Sequence, residues 1–258
     1  MKTLYRFTFL LVFLYSICPI CAAQNQSDFG RFAKWAKEDP VAMFRNAGVE
    51  QAIGLGTAGL TFATLSTFDE PTSRNIQEHY GQSRFLGITN EFGNKMLILP
   101  ASAALFGSSL LTENTKFQDA AFTSLQSVLM TSLTVGAGKF LFARQRPYMN
   151  EGAYDFDFVS TGQTSFPSGH TARAFSFITP WIMYYPSPLT YSLFALPAGT
   201  AIARIAEGKH WLSDVAAGAF IGFSMGYYLS KRHLGTHDIQ VTPTFGKNLA
   251  AVSINFEF

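Results

Sequence analysis

The sequence predicts an all-α protein: a six-helix bundle with an N-terminal amphipathic helix and a short C-terminal β-hairpin. Uncharged runs of helical length recur through the middle of the chain and are separated by turn-forming residues. The composition agrees, because 48% of the 258 residues are hydrophobic and only 14% are charged. A typical soluble domain has about 25% charged residues. Such a composition indicates a membrane protein or a heavily buried helical bundle.

Six uncharged segments account for the predicted bundle. Each offers roughly 16–18 uncharged residues, at the short end of the ~17–25 that a bilayer requires, so the sequence leaves open which helices span a membrane. Residues 69–94 are polar and rich in turn formers, and we expect a connection there. Prolines near residues 186 and 188 divide the longest run into two helices. The segments are 51–68, 96–112, 121–138, the two halves of 174–203, and 215–230.

Residues 1–23 are typical of a secretory signal peptide. Lys2 and Arg6 give a positive start, an apolar run follows, and small residues precede the expected cleavage site. An uncleaved membrane anchor is the alternative. Both cysteines of the chain lie in this segment, so the mature protein would have no disulfide and no cysteine ligand for a metal.

Residues 24–50 are predicted to form an amphipathic helix. Phe29, Phe32 and Trp35 fall near one face, and the charged side chains lie elsewhere. Such a helix would either lie in a membrane interface or cover the core of a bundle, and the pattern does not separate the two.

The C-terminal segment 233–258 alternates apolar and polar residues on both sides of a turn at Gly246, Lys247 and Asn248. This pattern predicts a β-hairpin appended to a main domain of residues 51–232. The formal charge of +2, without a long basic run, argues against nucleic acid as the main partner. The sequence does not indicate an oligomeric state.

The stretch 164–171 combines turn residues, a hydroxyl group and a histidine at the start of an apolar run. Ser168 is a favourable N-cap residue, and Gly169 allows the backbone to approach a ligand closely. A helix that begins here would direct free N–H groups, the positive end of its dipole and the His170 imidazole at one point. That arrangement suits a phosphate-like anion, although an ordinary helix start with a nearby histidine has the same pattern.

Two further polar clusters lie at the ends of predicted helices. Lys139 and Arg146 are seven residues apart, which is two helical turns, so they are expected to share a face. Arg204 precedes His210 and Asp214, which are four residues apart and would face each other at a helix start. A carboxylate that accepts from one imidazole nitrogen fixes the tautomer and leaves the other nitrogen free to attack. A purely structural His–Asp pair is the alternative.

The three clusters together resemble the motifs of the type 2 phosphatidic acid phosphatase (PAP2) family. That family shares its core with class A acid phosphatases and vanadium haloperoxidases. The resemblance covers about residues 50–230 and rests on the order Lys-x6-Arg-Pro, Pro-Ser-Gly-His and Arg-x5-His-x3-Asp. It implies a PAP2-type bundle of six helices. One departure is visible, because the family usually has Ser before the third-motif arginine and this chain has Ala203.

The resemblance implies a metal-independent phosphatase that acts through a phosphohistidine. His210 would be the nucleophile, Asp214 would orient it, and His170 would be the general acid and base. Basic and small polar residues would bind the phosphate oxygens, as phosphoryl transfer requires. These residues are Lys139, Arg146, Ser168, Gly169 and Arg204. No metal and no cofactor are expected.

The apolar composition favours a lipid phosphate as the substrate. Candidates are phosphatidate, phosphatidylglycerol phosphate, undecaprenyl diphosphate and lipid A phosphate. The alternatives within the family are a vanadium-dependent haloperoxidase and a periplasmic non-specific acid phosphatase that acts on soluble esters. Glu207 is expected at the pocket rim, and His79, His233 and His237 are expected on the surface.

The expected location is the bacterial cell envelope, with the site facing the periplasm. A cleaved signal would place residue 24 outside the cytoplasm, and six full spans from there would leave the motifs inside. We therefore expect a membrane-associated enzyme, with a soluble periplasmic enzyme as the alternative.

Overall fold

A computed structural model describes residues 26–45, 48–81, 83–162, 164–235, 240–246 and 249–255. The predicted signal peptide lies outside these residues, as does His237. The helices are α1 (Gln26–Arg45), α2 (Val49–Ser66), α3 (Asp69–Tyr80), α4 (Arg84–Glu91), α5 (Lys95–Ser109), α6 (Thr115–Phe142), α7 (Gly169–Tyr184), α8 (Pro188–Ser192), α9 (Ala195–Ala206) and α10 (Leu212–Leu234).

The domain is helical as predicted, but the expected count of six helices is wrong. The polar stretch 69–94 forms α3 and α4 instead of a connection. Asp69 and Glu70 open α3 at the end where negative charge is favourable. Ser83 caps α4 by accepting a hydrogen bond from the Leu86 N–H group. The buried residues of these helices are mostly polar, namely Asp69, Ser73 and Thr89 beside Leu86, which is why the composition of the stretch favoured turns.

Beyond α10 the structure describes two paired strands, β1 (Gln240–Gly246) and β2 (Leu249–Asn255). They run antiparallel, with Gln240 opposite Asn255 and Gly246 opposite Leu249. Residues 247–248, which would form the turn, lie outside the described residues. The C-terminal hairpin therefore stays a prediction, as do the domain boundaries at residues 51 and 232.

The centre of the bundle is the contact between α7 and α10, which run parallel. Their first turns lie side by side, since the Ser168 N–H group donates to the Asp214 carbonyl oxygen at 3.0 Å. Further along, a Cβ atom added at Gly222 would lie only 2.0 Å from the Ala172 carbonyl oxygen. Only glycine permits this approach of the two backbones. The two helices therefore begin at the same level of the bundle.

Helix α6 runs antiparallel to α7. The Ser124 hydroxyl, near the start of α6, donates to the Phe177 carbonyl oxygen at 2.8 Å. Gly138, near the end of α6, packs against Pro167, just before α7 begins. The last turn of α6 therefore lies beside the first turns of α7 and α10, and all three sequence motifs meet at this end of the bundle.

Helix α1 is attached to the opposite end by a buried ion cluster. Asp39 is 0% exposed, and it contacts Arg232 Nε at 3.0 Å, His233 Nε2 at 2.8 Å and Gln126 Nε2 at 2.9 Å. The His233 ring stacks on Trp35 with 3.9 Å between centroids. The His233 side chain is fully buried, so the expectation that it lies on the surface is wrong. Its position is set by Asp39, which lies far away in the sequence.

The bundle covers the apolar face of α1 at Phe32, whereas Phe29 on the same face is 43% exposed. Phe32 is 4% exposed, and its ring centroid lies 5.0 Å from Phe106 of α5 and 4.9 Å from Phe122 of α6. This contact favours α1 as a helix that covers the core over α1 as a helix that lies in a membrane interface.

Two helical segments of the described residues are long and apolar enough to cross a membrane. They are Thr115–Phe142 and Pro188–Ala206. Within the most apolar 18-residue window of each segment, only 28% and 39% of the residues, respectively, are buried. Most of each window therefore faces away from the interior of the bundle. Leu129, Leu133 and Leu141 are examples of exposed apolar side chains on the first segment.

We expect Asp39→Asn to lower the free energy of unfolding by about 3 kcal/mol, because Arg232 and His233 would lose their buried acceptor. The Arg31–Asp119 pair also joins α1 to α6, but its side chains are 23% and 22% exposed. Asp119→Asn should therefore cost less than about 1 kcal/mol. Thermal unfolding of the wild type and both variants in the same detergent measures the loss of stability. Equal destabilisation would contradict the assignment of Asp39 as the main attachment.

Candidate active site

The predicted start of α7 is present, and Ser168 is its N-cap residue. Its hydroxyl does not cap the helix backbone, however, and instead pairs with the Thr171 hydroxyl at 3.0 Å. The first residues of α7, Gly169 and His170, therefore stand at a helix end that still directs free N–H groups outward. This end has the positive potential that favours an anion.

Lys139 and Arg146 both reach the segment before α7. The Lys139 ammonium group donates to the Thr164 carbonyl oxygen at 2.7 Å, and Arg146 Nη2 donates to the same oxygen at 3.2 Å. They do not share one helix face, because α6 ends at Phe142 and Ala143 adopts a left-handed conformation. The change of chain direction at Ala143 brings the two cations together. Their proximity was predicted correctly, but the predicted cause, a spacing of two helical turns, was wrong.

Arg204 lies in the last turn of α9. Its carbonyl oxygen accepts the N–H groups of Lys209 and His210, which folds the loop back on the helix end. Its side chain donates from Nη1 to Glu207 Oε2 at 2.7 Å and to Asn90 Oδ1 at 3.1 Å. Glu207 is thus placed beside the basic group, at the rim of the site as expected.

His210 and Asp214 are adjacent, but they do not form a short hydrogen bond. His210 is 2% exposed, and its Nδ1 atom lies 3.6 Å from Asp214 Oδ2, beyond ordinary hydrogen-bond length. The same oxygen accepts from the Trp211 N–H group at 2.9 Å and from the Ser165 hydroxyl. Asp214 is therefore fixed by other donors, and it acts on His210 mainly through its charge.

Burial lowers the pKa of His210 to about 3, and the positive charges of Lys139 and Arg204 act in the same direction against Asp214. The ring is therefore neutral at pH 7, as a nitrogen nucleophile must be. Burial alone would raise the pKa of Asp214, but His210, Arg144 and other donors lower it. Asp214 is therefore ionised at pH 7.

Burial also lowers the pKa of His170 to about 3, assisted by the positive charges of Arg204 and Arg173. Without a bound anion, His170 is therefore neutral at pH 7. The bound dianion of a phosphate ester would raise this pKa, since a nearby negative charge favours the protonated ring.

Arg173 is a further cation at this end of the bundle, and it was not among the site residues predicted from the sequence. It is 8% exposed, and its Nε atom donates to the Gly93 carbonyl oxygen at 3.1 Å. Its guanidinium group packs against Gly169, and its charge acts on His170. The sequence could have indicated Arg173, because it lies three residues after His170 and therefore on the same side of the start of α7.

The turn between α4 and α5 supports the site from behind. A Cβ atom added at Gly93 would lie 2.5 Å from the His170 carbonyl oxygen, so this backbone sets the position of the histidine. Asn90, one turn earlier, contacts Arg204. Both residues belong to the stretch that the sequence analysis treated as a connection.

The donors at this end of the bundle suit an anion. The Nε atoms of Arg146 and Arg204 are buried and have no hydrogen-bond partner among the residues that the structure describes. Lys139 and Arg173 add positive charge beside them. Buried donors without acceptors are unfavourable unless a ligand supplies the acceptor. Within the described ranges, no group of three or more His, Cys, Asp or Glu side chains is arranged to hold a metal ion.

Residues 120–235 match the family model of the PAP2 superfamily. These residues are a PAP2 domain. All three motifs lie inside the PAP2 domain, whereas Asn90 and Gly93 lie before it. Over 102 residues the chain is 37% identical to a lipid A 1-phosphatase from Porphyromonas gingivalis, and the match covers 37% of this chain and 20% of that protein.

Two other proteins resemble the chain. Over 125 residues it is 31% identical to a probable lipid phosphate phosphatase beta from Arabidopsis thaliana, covering 38% of this chain and 58% of that protein. The chain thus spans less than two thirds of either curated relative. The fold resembles the first transmembrane PAP2 type phosphatidylglycerolphosphate phosphatase from Bacillus subtilis, with a TM-score of 0.54 and 18% identity over 71% of this chain and 98% of that one.

We expect Gly93→Ala to destabilise the protein by about 2 kcal/mol, because the added methyl group overlaps the backbone of His170. It should also weaken the binding of inorganic phosphate to the PAP2 domain. Gly87, in α4, is the matched control, since nothing lies within 4 Å of its added Cβ atom. Gly87→Ala should be neutral or stabilising by up to about 1 kcal/mol. Thermal unfolding and calorimetry measure both effects, and wild-type values for Gly93→Ala would refute the placement.

Proposed function

We propose that the protein is a metal-independent PAP2-type phosphatase that hydrolyses the phosphate ester of a lipid through a phosphohistidine. The observation that carries the proposal is His210, a buried neutral imidazole between one carboxylate and several cations. The carboxylate suits the imidazolium that forms on attack, and the cations suit the phosphate that is attacked.

In the first step His210 Nε2 attacks phosphorus, and the bond from phosphorus to the ester oxygen breaks. Nδ1 faces Asp214 at 3.6 Å, so the positive charge that develops on the ring lies beside a carboxylate. His170, protonated in the field of the bound phosphate, gives its proton to the departing alkoxide. The products are a phosphohistidine and the free alcohol.

In the second step His170, now neutral, takes a proton from water as the water oxygen attacks phosphorus. The bond from phosphorus to His210 breaks, and inorganic phosphate leaves. Lys139, Arg146 and Arg204 neutralise the non-bridging oxygens in both steps, with the Ser168 hydroxyl and the Gly169 N–H group at the start of α7 as further donors. This charge neutralisation is the task that a metal performs in other phosphatases, so the proposed reaction needs no cofactor.

We expect His210→Ala to abolish phosphate release, with a loss of about a thousandfold or more, because no other group replaces the nucleophile. His170→Ala should lower kcat by about 10²–10⁴-fold, the usual contribution of a general acid. His79 is exposed on α3, and His79→Ala should keep the wild-type rate. The assay measures phosphate release from lipid and soluble esters.

The same assay carries two controls on the chemistry. Activity should persist in EDTA, and its loss there would contradict the metal-free mechanism. Inhibition by vanadate is expected, whereas vanadate-dependent halide oxidation would place the chain with the haloperoxidases. Full activity of His210→Ala would refute the phosphohistidine.

A lipid substrate is favoured by an apolar groove beside the site. The groove has a volume of about 910 Å³, in the range of ligand pockets. Phe166 connects the groove to the Pro-Ser-Gly-His motif, because it directly precedes Pro167 and Ser168. We propose that it holds an acyl chain of the substrate. Its walls are α2, α10 and four phenylalanines: Phe142, Phe156, Phe158 and Phe166.

We expect Ala58→Trp, which places an indole in the groove, to raise KM for a long-chain phosphatidate about tenfold. The rate with p-nitrophenyl phosphate should be unchanged, because the phosphate site is not altered. Ala63 lies on the same helix, is exposed and does not line the groove, so Ala63→Trp is the matched control. Equal effects of Ala58→Trp on both substrates would contradict the proposed chain-binding role and favour an enzyme of soluble esters.

A membrane-associated enzyme agrees with this substrate class. The outward-facing apolar windows of Thr115–Phe142 and Pro188–Ala206 would contact lipid, and the site at the end of α6 would lie near one membrane surface. Export to the cell envelope and a periplasm-facing site complete the proposal.

A further inference from the structure

A second cluster of charges lies directly behind Asp214. Arg144, in the loop after α6, is 0% exposed. Its Nη1 atom donates to Asp214 Oδ1 at 2.7 Å, and its Nη2 atom donates to Asp69 Oδ2 at 2.7 Å. One guanidinium group therefore bridges two buried carboxylates, one in the third motif and one at the first residue of α3.

Asp69 also holds the start of the helix that carries Asp214. Its Oδ1 atom accepts the Ser213 N–H group at 2.8 Å, and its Oδ2 atom accepts the Ser213 hydroxyl at 2.6 Å. The N–H groups of a first helical turn need acceptors from outside the helix. Here α3 supplies one to α10. Asp69 is 0% exposed and lies before the segment that matches the family model.

The charges of this cluster leave one surplus negative charge next to His210. Burial raises the pKa of Asp69, whereas its hydrogen bonds from Ser213 and Arg144 favour the carboxylate form. With both carboxylates ionised, Asp69 and Asp214 contribute two negative charges and Arg144 one positive charge, while the imidazole is neutral. When the ring takes up phosphorus it becomes cationic, and the group is then balanced. Without Asp69 the cluster would be neutral before the reaction and positive during it, and Arg144 would pair with Asp214 alone.

Stability does not account for this arrangement. Removing three charges from water is unfavourable, and well-packed apolar side chains in their place are often as stable or more stable. Three aromatic rings surround Arg144, with centroids 5.3 to 5.7 Å from Cζ. They keep water from screening the charges, so the effect of Asp69 on Asp214 is transmitted at low dielectric.

We propose that Asp69 is a positioning residue for His210, acting through Arg144 and Asp214. It shares the Arg144 guanidinium with Asp214, so that the charge of Asp214 is less neutralised by Arg144 and stabilises the imidazolium formed during phosphoryl transfer. The proposal rests on the function proposed above, in which His210 is the nucleophile.

The test is Asp69→Asn in the full-length protein, with Glu70→Gln as the matched control. Glu70 is the next residue of α3, is exposed and does not contact Arg144. Active sites are titrated with vanadate, and kcat is expressed per titrated site. We expect Asp69→Asn to lower kcat by about tenfold to a hundredfold, the usual effect of removing a partner behind a reacting group. KM and vanadate inhibition should be unchanged, because Lys139, Arg146 and Arg204 are intact.

The double variant Asp69→Asn/Arg144→Gln tests the charge argument itself. It restores one net negative charge beside His210 and keeps neutral hydrogen-bonding groups, so kcat per site should recover relative to Asp69→Asn. It also removes the buried guanidinium that has lost one of its two carboxylate partners, and it therefore serves as the test variant if Asp69→Asn does not fold. In that case kcat within about tenfold of the wild type supports the proposal, and a larger loss overturns it.

Two results overturn the role of Asp69 directly. One is that Asp69→Asn has fewer titratable sites but a wild-type kcat per site. This result is expected if Asp69 only supports the fold. The other is a double variant as impaired as the single one. Failure of the proposed function is distinguishable, because then the wild type releases no phosphate or His210→Ala retains full activity.

Discussion

The close contact between α7 and α10 is the constraint on which the rest of the structure depends. Ala172 and Gly222 bring the two backbones together without an intervening side chain, and Ser168 is hydrogen-bonded to the Asp214 carbonyl at the start of both helices. Because the helices are parallel, their positive ends lie at one place. His170 and His210 lie at the starts of different helices, and this alignment keeps them together.

The cations at this end of the bundle repel one another, and the protein holds them with neutral and acidic acceptors. The Thr164 carbonyl accepts from both Lys139 and Arg146, and Gly93 accepts from Arg173. Carbonyl dipoles stabilise these charges without cancelling them, so the site remains attractive to a dianion. Among the residues that the structure describes, only Glu207 forms an ion pair with one of these four cations, Arg204.

The sequence was sufficient to group these residues of the PAP2 domain, because their order and spacing along the chain resemble the motifs of a known family. It was not sufficient for Asp69, Asn90 and Gly93, whose contacts join segments far apart in the chain. The charged residues and turn formers in residues 69–94 indicated a connection, whereas this stretch forms two short helices with a narrow buried face. Arg144 was visible as a basic residue between Lys139 and Arg146, but burial at 0% exposure is a tertiary property. His233 was misplaced for the same reason.

The departure at Ala203 has a physical explanation in the same region. Ala203 is 1% exposed and packs with Ala206 against Leu86 of α4. A small apolar side chain suits this contact, since a buried hydroxyl would need an acceptor there. The contact fixes α9 against α4, and it thereby keeps Arg204 next to Asn90.

The attachment of α1 to the end of α10 has a consequence for how the domain comes apart. Asp39 and His233 join the first described helix to the last turn of α10, so the end of α10 cannot fray without breaking a buried contact with α1. Local opening, which normally begins at chain ends, is thereby coupled to loss of the whole bundle. The domain should consequently resist proteolysis at its ends until it unfolds as one cooperative unit.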